Sequence, residues 1–140
     1  MNYANLSVKY KKKTKEVPKG FLQFTKSHGV DNPNTCATRL SFALFEVNKA
    51  FFKDVKALSG TEWYGLPTVA SDLAIVLNKK IRKAWRINKK KDISGKKGII
   101  FFDTVPPYDV SGHISLWDGE KVVDNGDYFS KSPRVYFWEL

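Results

Sequence analysis

Between Thr35 and Phe52 the apolar residues Ala37, Leu40, Leu44, Val47 and Phe51 recur three or four positions apart, the period of a helix with one buried stripe. Asn34 or Thr35 stands where an N-cap is needed, and either side-chain oxygen can accept an orphan backbone N–H. A second stripe, Val69, Leu73, Val76, Leu77 and Ile81, predicts a helix from about Thr68 to Arg86. Between the two, "SGTEWYGLP" breaks the pattern with two glycines and a proline. Upstream, "KGFLQFTKSH" predicts a short helix closed by the turn-forming "HGVDNPN". Residues 1–19 are polar and basic and predict a loose arm.

From Lys89 onward the period changes. "GIIFF" at 98–102 reads as a buried strand and "TVPPYDVSG" as a loop. "HISLW" and "EKVVD" predict two strands around a turn at Asp118-Gly119, and "RVYFWEL" predicts a last strand. Helices first and strands afterwards imply an α+β fold with an antiparallel sheet, as one domain over residues 1–140.

Composition narrows the classes. Hydrophobic residues at 42% and aromatics at 14% exclude a disordered chain. A single cysteine excludes an internal disulfide. No apolar run approaches the roughly 18 residues of a membrane span, and residues 1–30 hold no apolar core of a signal peptide. The net charge of +10 is uneven: residues 1–97 hold 21 basic and 7 acidic residues, residues 98–140 hold 3 and 7. Such a surface suits a polyanion, whether nucleic acid, an anionic membrane face or an anionic polymer, and it equally suits a soluble protein that is simply rich in lysine. The run "NKKIRKAWRINKKK" (78–91) has eight basic residues and one tryptophan. Phosphate binding with tryptophan stacking is one reading of it. A solvated helix face whose lysines complement the helix dipole is the simpler one, and no specific nucleic-acid partner is expected.

The candidate chemistry begins at Cys36, in the first turn of its predicted helix. A helix N-terminus favours the thiolate form, and its free N–H groups, that of Cys36 among them, can receive an acyl-transfer oxyanion. The alternative is a small core residue. Of the two histidines, His28 sits in a turn near the arm, whereas His113 begins the predicted hairpin after Gly112, a residue that permits close backbone approach. A two-residue turn at Asp118-Gly119 makes Trp117 face Glu120 and His113 face Asp124. A carboxylate there can orient the imidazole and stabilise its cation. Cys36, His113 and Asp124 thus form a candidate Cys–His–Asp set, nucleophile on an early helix and base and orienter on a later sheet. One cysteine and two distant histidines show no metal-ligand spacing, and no cofactor is implied.

"NTCATRLSFAL", "GTEWYGLP" and "GHISLWDGEKVVD" together resemble the type VI secretion amidase effectors of family four, over roughly Asn34 to Leu140. These are small bacterial toxins whose fold is related to NlpC/P60 and papain-like peptidases. The resemblance implies an amidase that cuts peptidoglycan stem peptides between γ-D-glutamate and meso-diaminopimelate. It assigns the nucleophile to Cys36, the base to His113 and the third member to Asp124, the aspartate that the hairpin register also selects. It further implies delivery into a neighbour's periplasm by a contractile secretion machine, which accounts for the missing signal peptide, and a cognate immunity protein that blocks the active site. Trp63 and Tyr64 are candidate walls of the substrate groove, with packing against the core as the alternative; Asn34 and Arg39 belong to the motif without an assigned role.

Overall fold

The protein is described by a computed structural model over residues 1–56, 62–107 and 111–140. Two short strands come first, β1 (Glu62–Trp63) and β2 (Leu66–Pro67), and form a hairpin that turns on Tyr64-Gly65. Both turn residues have positive φ, 50° and 76°, as a two-residue hairpin turn requires. Gly60 and Thr61 of the "GTEWYGLP" stretch lie outside the described residues. The main sheet is antiparallel, with β3 (Trp85–Ile87), β4 (Gly98–Asp103), β5 (His113–Trp117) and β6 (Arg134–Glu139) in the order β3–β6–β4–β5. β4 is apolar at successive positions, not alternate ones, because both faces of the sheet are covered. Ile99 and Phe101 pack with Ile114, Leu116 and Trp138 in the core shared with the helices. Ile100 and Phe102 join Trp117, Val135 and Phe137 in a second core, closed by Ile93, Val105 and Val122.

Among the described residues four α-helices accompany the sheet: α1 (Tyr3–Lys9), α2 (Phe21–Ser27), α3 (Cys36–Val47) and α4 (Ala70–Lys80). The α+β architecture, with the cysteine on an early helix and the histidine on an antiparallel sheet, is the expected one. Two helices stop early. α3 ends at Val47 with Asn48 as its C-cap, although Phe51 and Phe52 remain buried in the turn that follows. α4 ends at Lys80, because Asn78 Oδ1 takes the N–H of Ala84 and Trp85–Ile87 pair with β6. The basic run is therefore divided among a helix end carrying Lys79 and Lys80, a strand, and a 3-10 turn at Lys90–Ile93.

The largest departure is at the amino terminus. Instead of a loose arm there is a capped helix, with Asn2 Oδ1 accepting the N–H of Asn5. Leu6 is 0% and Tyr10 5% exposed, and Tyr3 packs beside them against the helical core. Tyr3, Leu6 and Tyr10 form a short apolar stripe that the surrounding lysines conceal in the sequence.

The hairpin after β5 also differs. Asp118 donates its N–H to Lys121 O at 3.1 Å, Trp117 bridges Val122, and Val123 N–H bonds to Leu116 O at 2.9 Å. The central turn residues are therefore Gly119 and Glu120, not Asp118 and Gly119. Asp118 stays outside the central pair because its Oδ1 accepts the N–H groups of Glu120 and Lys121, both at 2.9 Å, while Gly119 takes the positive φ of 105°. "EKVVD" forms one bridge, not a strand, and then turns, with Asn125 N–H on Val122 O. Each side is displaced by one residue, so side-chain facing is preserved. Extending this register puts Asp124 across from Ser115, two residues from His113 and on its face, rather than directly opposite it.

Candidate active site

Cys36 opens α3 with Thr35 as N-cap. The Thr35 hydroxyl does not cap the helix; it donates to Thr14 O at 2.8 Å and accepts from Arg39 Nε at 3.0 Å. The capping role passes to Asn34, whose Oδ1 accepts the Cys36 N–H at 3.0 Å. The N–H expected to be open for an oxyanion is thus already engaged, a departure with a simple cause: Asn34 is two residues upstream, at the spacing of an Asx turn. Cys36 is 2% exposed.

His113 Nε2 lies 3.0 Å from Asp124 Oδ2 and 3.2 Å from Oδ1. That leaves Nδ1 for the Cys36 thiol, the other hydrogen-bond neighbour of this imidazole. Burial favours the neutral ring, but the hydrogen bonds and charges of Asp124 and Cys36 outweigh it and push the His113 pKa up to about 9. The Asp124 side chain is 2% exposed. Burial disfavours its charge, yet His113, the Gly126 N–H at 3.0 Å and Arg39 together hold its pKa below the ordinary carboxylate value. Arg39 Nη2 stands 3.6 Å from Asp124 Oδ2, and the Tyr10 hydroxyl donates to the same oxygen at 3.2 Å.

Gly126 packs directly on the imidazole; a Cβ there would overlap His113 at Nε2, Cδ2 and Cε1. Sequence reasoning passed over this residue, although "DNG" beginning at the candidate acid is a turn signal that brings backbone close to it. Gly112 does need to be glycine, with φ 85°, but the close approach is to Phe102 O on β4 and not to a substrate. Tyr10, the residue that ends the unexpected α1, was missed with it, and Arg39, without a role in the sequence, pairs with the buried Asp124.

A cleft of about 420 Å³ opens over this cluster, with Lys12, Asn34, Arg39, His113, Asp124 and Lys131 among its walls. Trp63 and Tyr64 are not part of that lining. Trp63 packs edge-on against Phe21 with ring centroids 5.6 Å apart, and Tyr64 projects into solvent, 86% exposed. The structure does not bring either to the cleft. His28 is exposed, with Nδ1 on Phe24 O at 2.9 Å, and is not part of the cleft lining. Among the described residues no cluster of His, Cys, Asp and Glu is arranged to hold a metal ion, and no helix is long and apolar enough to cross a membrane.

A helix opening on a thiol, packed against an antiparallel sheet whose edge strand carries a histidine paired with a buried carboxylate, is the architecture of the papain-like hydrolases. Within that class, residues 32–138 match the family described as type VI secretion system amidase effector protein 4, Tae4, and the chain belongs to that family. It is therefore an amidase effector and a peptidoglycan hydrolase. Solved structures share the fold. The Tae4 effector of Enterobacter cloacae superposes with a TM-score of 0.63 at 22% identity, over 85% of this chain and 79% of that one. A chain of the Tae4/Tai4 effector–immunity structure from Salmonella typhimurium superposes with a TM-score of 0.66 at 19% identity, over 99% and 94%. A chain of the Tae4–Tai4 complex from Enterobacter cloacae gives 0.60 at 22%, over 85% and 81%. No curated protein matches the sequence significantly.

Proposed function

We propose that the protein hydrolyses the γ-D-glutamyl–meso-diaminopimelate bond of peptidoglycan stem peptides, using Cys36 as nucleophile, His113 as acid and base, and Asp124 as orienter. The observation that carries this reading is the buried His113–Asp124 pair on the wall of the cleft, with the buried Cys36 thiol as the other hydrogen-bond neighbour of the same imidazole. The Cys36 sulfur, its proton held by His113, attacks the γ-carbonyl carbon. As the tetrahedral adduct collapses, the His113 imidazolium gives its proton to the departing amine of diaminopimelate and the C–N bond breaks, leaving a thioester. His113 then takes a proton from water, the hydroxyl adds to the thioester, and the thiol is regenerated as the D-glutamyl carboxylate leaves. Asp124 keeps the ring in the tautomer with Nε2–H and stabilises the cation at each stage. The Cys36 N–H serves the oxyanion once the Asn34 side chain releases it on substrate entry. Lys12 and Lys131, on the cleft walls, suit the carboxylates of the stem peptide.

The protein acts, in this reading, in the periplasm of a neighbouring cell, delivered there by type VI secretion machinery. The Tae4–Tai4 complexes among the related structures support a cognate immunity protein, and in this reading it covers the cleft. The test is to incubate the protein with purified Gram-negative sacculi and identify the released peptides by mass spectrometry. A new amino terminus on diaminopimelate, lost with Cys36→Ala, is the expected result. Cleavage at another bond, or none, overturns it.

A further inference from the structure

We propose that Tyr10 and Arg39 are positioning residues for the reaction, holding the Asp124 carboxylate that orients His113, so that the amino-terminal segment is part of the active site. This rests on the Cys36–His113–Asp124 reading. Asp124 Oδ1 is tied by the Gly126 N–H, and Oδ2 faces both the Tyr10 hydroxyl at 3.2 Å and Arg39 Nη2 at 3.6 Å. A phenol has one proton, and here it goes to the carboxylate; Tyr10 oxygen then accepts from Arg39 Nη1 at 3.4 Å and from the Ser115 hydroxyl at 3.1 Å. Tyr10 and Arg39 are each 5% exposed, so these bonds are largely shielded from bulk water. Arg39 is fixed in turn by the carbonyls of Lys11 at 3.1 Å and Lys12 at 2.7 Å. Through Thr35, whose hydroxyl bonds both Arg39 Nε and Thr14 O, the same segment reaches the residue just before the nucleophile.

The arrangement answers a problem set by the chemistry. His113 alternates between cation and neutral ring during each turnover, and when neutral it no longer compensates the buried Asp124 charge. Arg39 is a permanent cation and keeps the carboxylate ionised through that step, while Tyr10 prevents it from rotating away from the imidazole. Because both act through Asp124, their effect belongs to kcat.

The test compares Tyr10→Phe, which keeps the ring in the core, with the wild-type protein on a soluble stem peptide. The expected result is a fall in kcat of about 10–100-fold, the range for a hydrogen bond to a charged group, with KM unchanged and the thermal midpoint close to wild type. The same substitution in an Asp124→Ala background should cause no further loss. Unchanged kcat in Tyr10→Phe overturns the inference, as does an equal fold-loss in both backgrounds, which is what a purely structural residue gives. Arg39→Lys, which keeps the charge, should retain more activity than Arg39→Gln; equal values overturn the charge role. Full activity of Asp124→Ala would instead overturn the triad itself.

Discussion

A Cβ on Gly126 would overlap the His113 ring at three of its atoms, so Gly126→Ala has to push the imidazole away from Asp124 or bend the turn that carries both. Displacement by about 1 Å is enough to cost on the order of 100-fold in rate. Gly126→Ala should therefore lower kcat by about that factor while the protein stays folded, as circular dichroism and sacculus hydrolysis would record. The His113–Asp124 pair makes a separate prediction, for stability. His113 is raised from 6.5 to about 9, so its contribution is fully present below about pH 6.5 and fades as pH rises through about 9. Asp124 is held below 3.8, so its contribution is present above that value and lost as pH falls through the lowered pKa. The unfolding free energy from urea titrations should fall between pH 6.5 and 10 in the wild type, by an amount on the order of 3 kcal/mol at most, and stay flatter in His113→Gln. The three residues of the pair and its thiol were legible in the sequence because each belongs to a local pattern: a helix start, a strand start and a turn. Tyr10 was not, since its partners lie across the fold, and Gly126 was signalled only by the turn in "DNG".

At the level of elements, the hairpin shows how Asp124 comes to lie beside His113 although the register is not the expected one. The expected turn placed Asp118 in the centre; the observed one uses its carboxylate as a bracket for the Glu120 and Lys121 N–H groups. Those bonds outweigh the burial that opposes its charge and hold its pKa below the ordinary value. The error was one residue on each side, which leaves face alternation intact, so Asp124 remained beside His113. Asp118→Asn keeps the accepting oxygen and should leave kcat unchanged, whereas Asp118→Ala loses both bonds and should lower stability by about 1–2 kcal/mol with kcat again unchanged. Asp124→Asn should lower kcat, by up to about 10⁴-fold, because a neutral amide gives the imidazolium no opposing charge and can turn its NH2 toward the ring, which favours the wrong tautomer. Equal effects at the two positions would contradict this division of labour. The helices were legible where a stripe ran for three turns, as in α3 and α4. α1 was hidden because only seven residues, Tyr3–Lys9, carry it and three lysines follow directly at 11–13. Its stability comes from tertiary burial, so Leu6→Ala, removing a fully buried side chain, should cost about 2–5 kcal/mol by chemical denaturation.

For the whole molecule, the question is whether toxicity follows from charge or from chemistry. A net charge of +10 is sufficient reason to expect attraction to an anionic envelope, and a cationic surface can damage membranes without any enzyme. The two causes separate because the densest basic run lies apart from the site. The run at 78–91 holds eight basic residues, and the cleft lining contains none of them. Cys36→Ala leaves the charge unchanged and removes the nucleophile. Replacing exposed Lys79, Lys83 and Lys89 by Gln does the reverse, lowering the charge while leaving Cys36, His113 and Asp124 untouched. Directed to the periplasm of a Gram-negative host by an added signal peptide, the wild type and the triple Gln variant should both lyse cells, and Cys36→Ala should not. Expressed in the cytosol, where the stem peptides of the wall are out of reach, all three should be tolerated. Turbidity and released cell-wall peptides measured together decide between the causes. Lysis by Cys36→Ala, or its loss in the triple Gln variant while sacculus hydrolysis in vitro persists, would assign the damage to the basic surface.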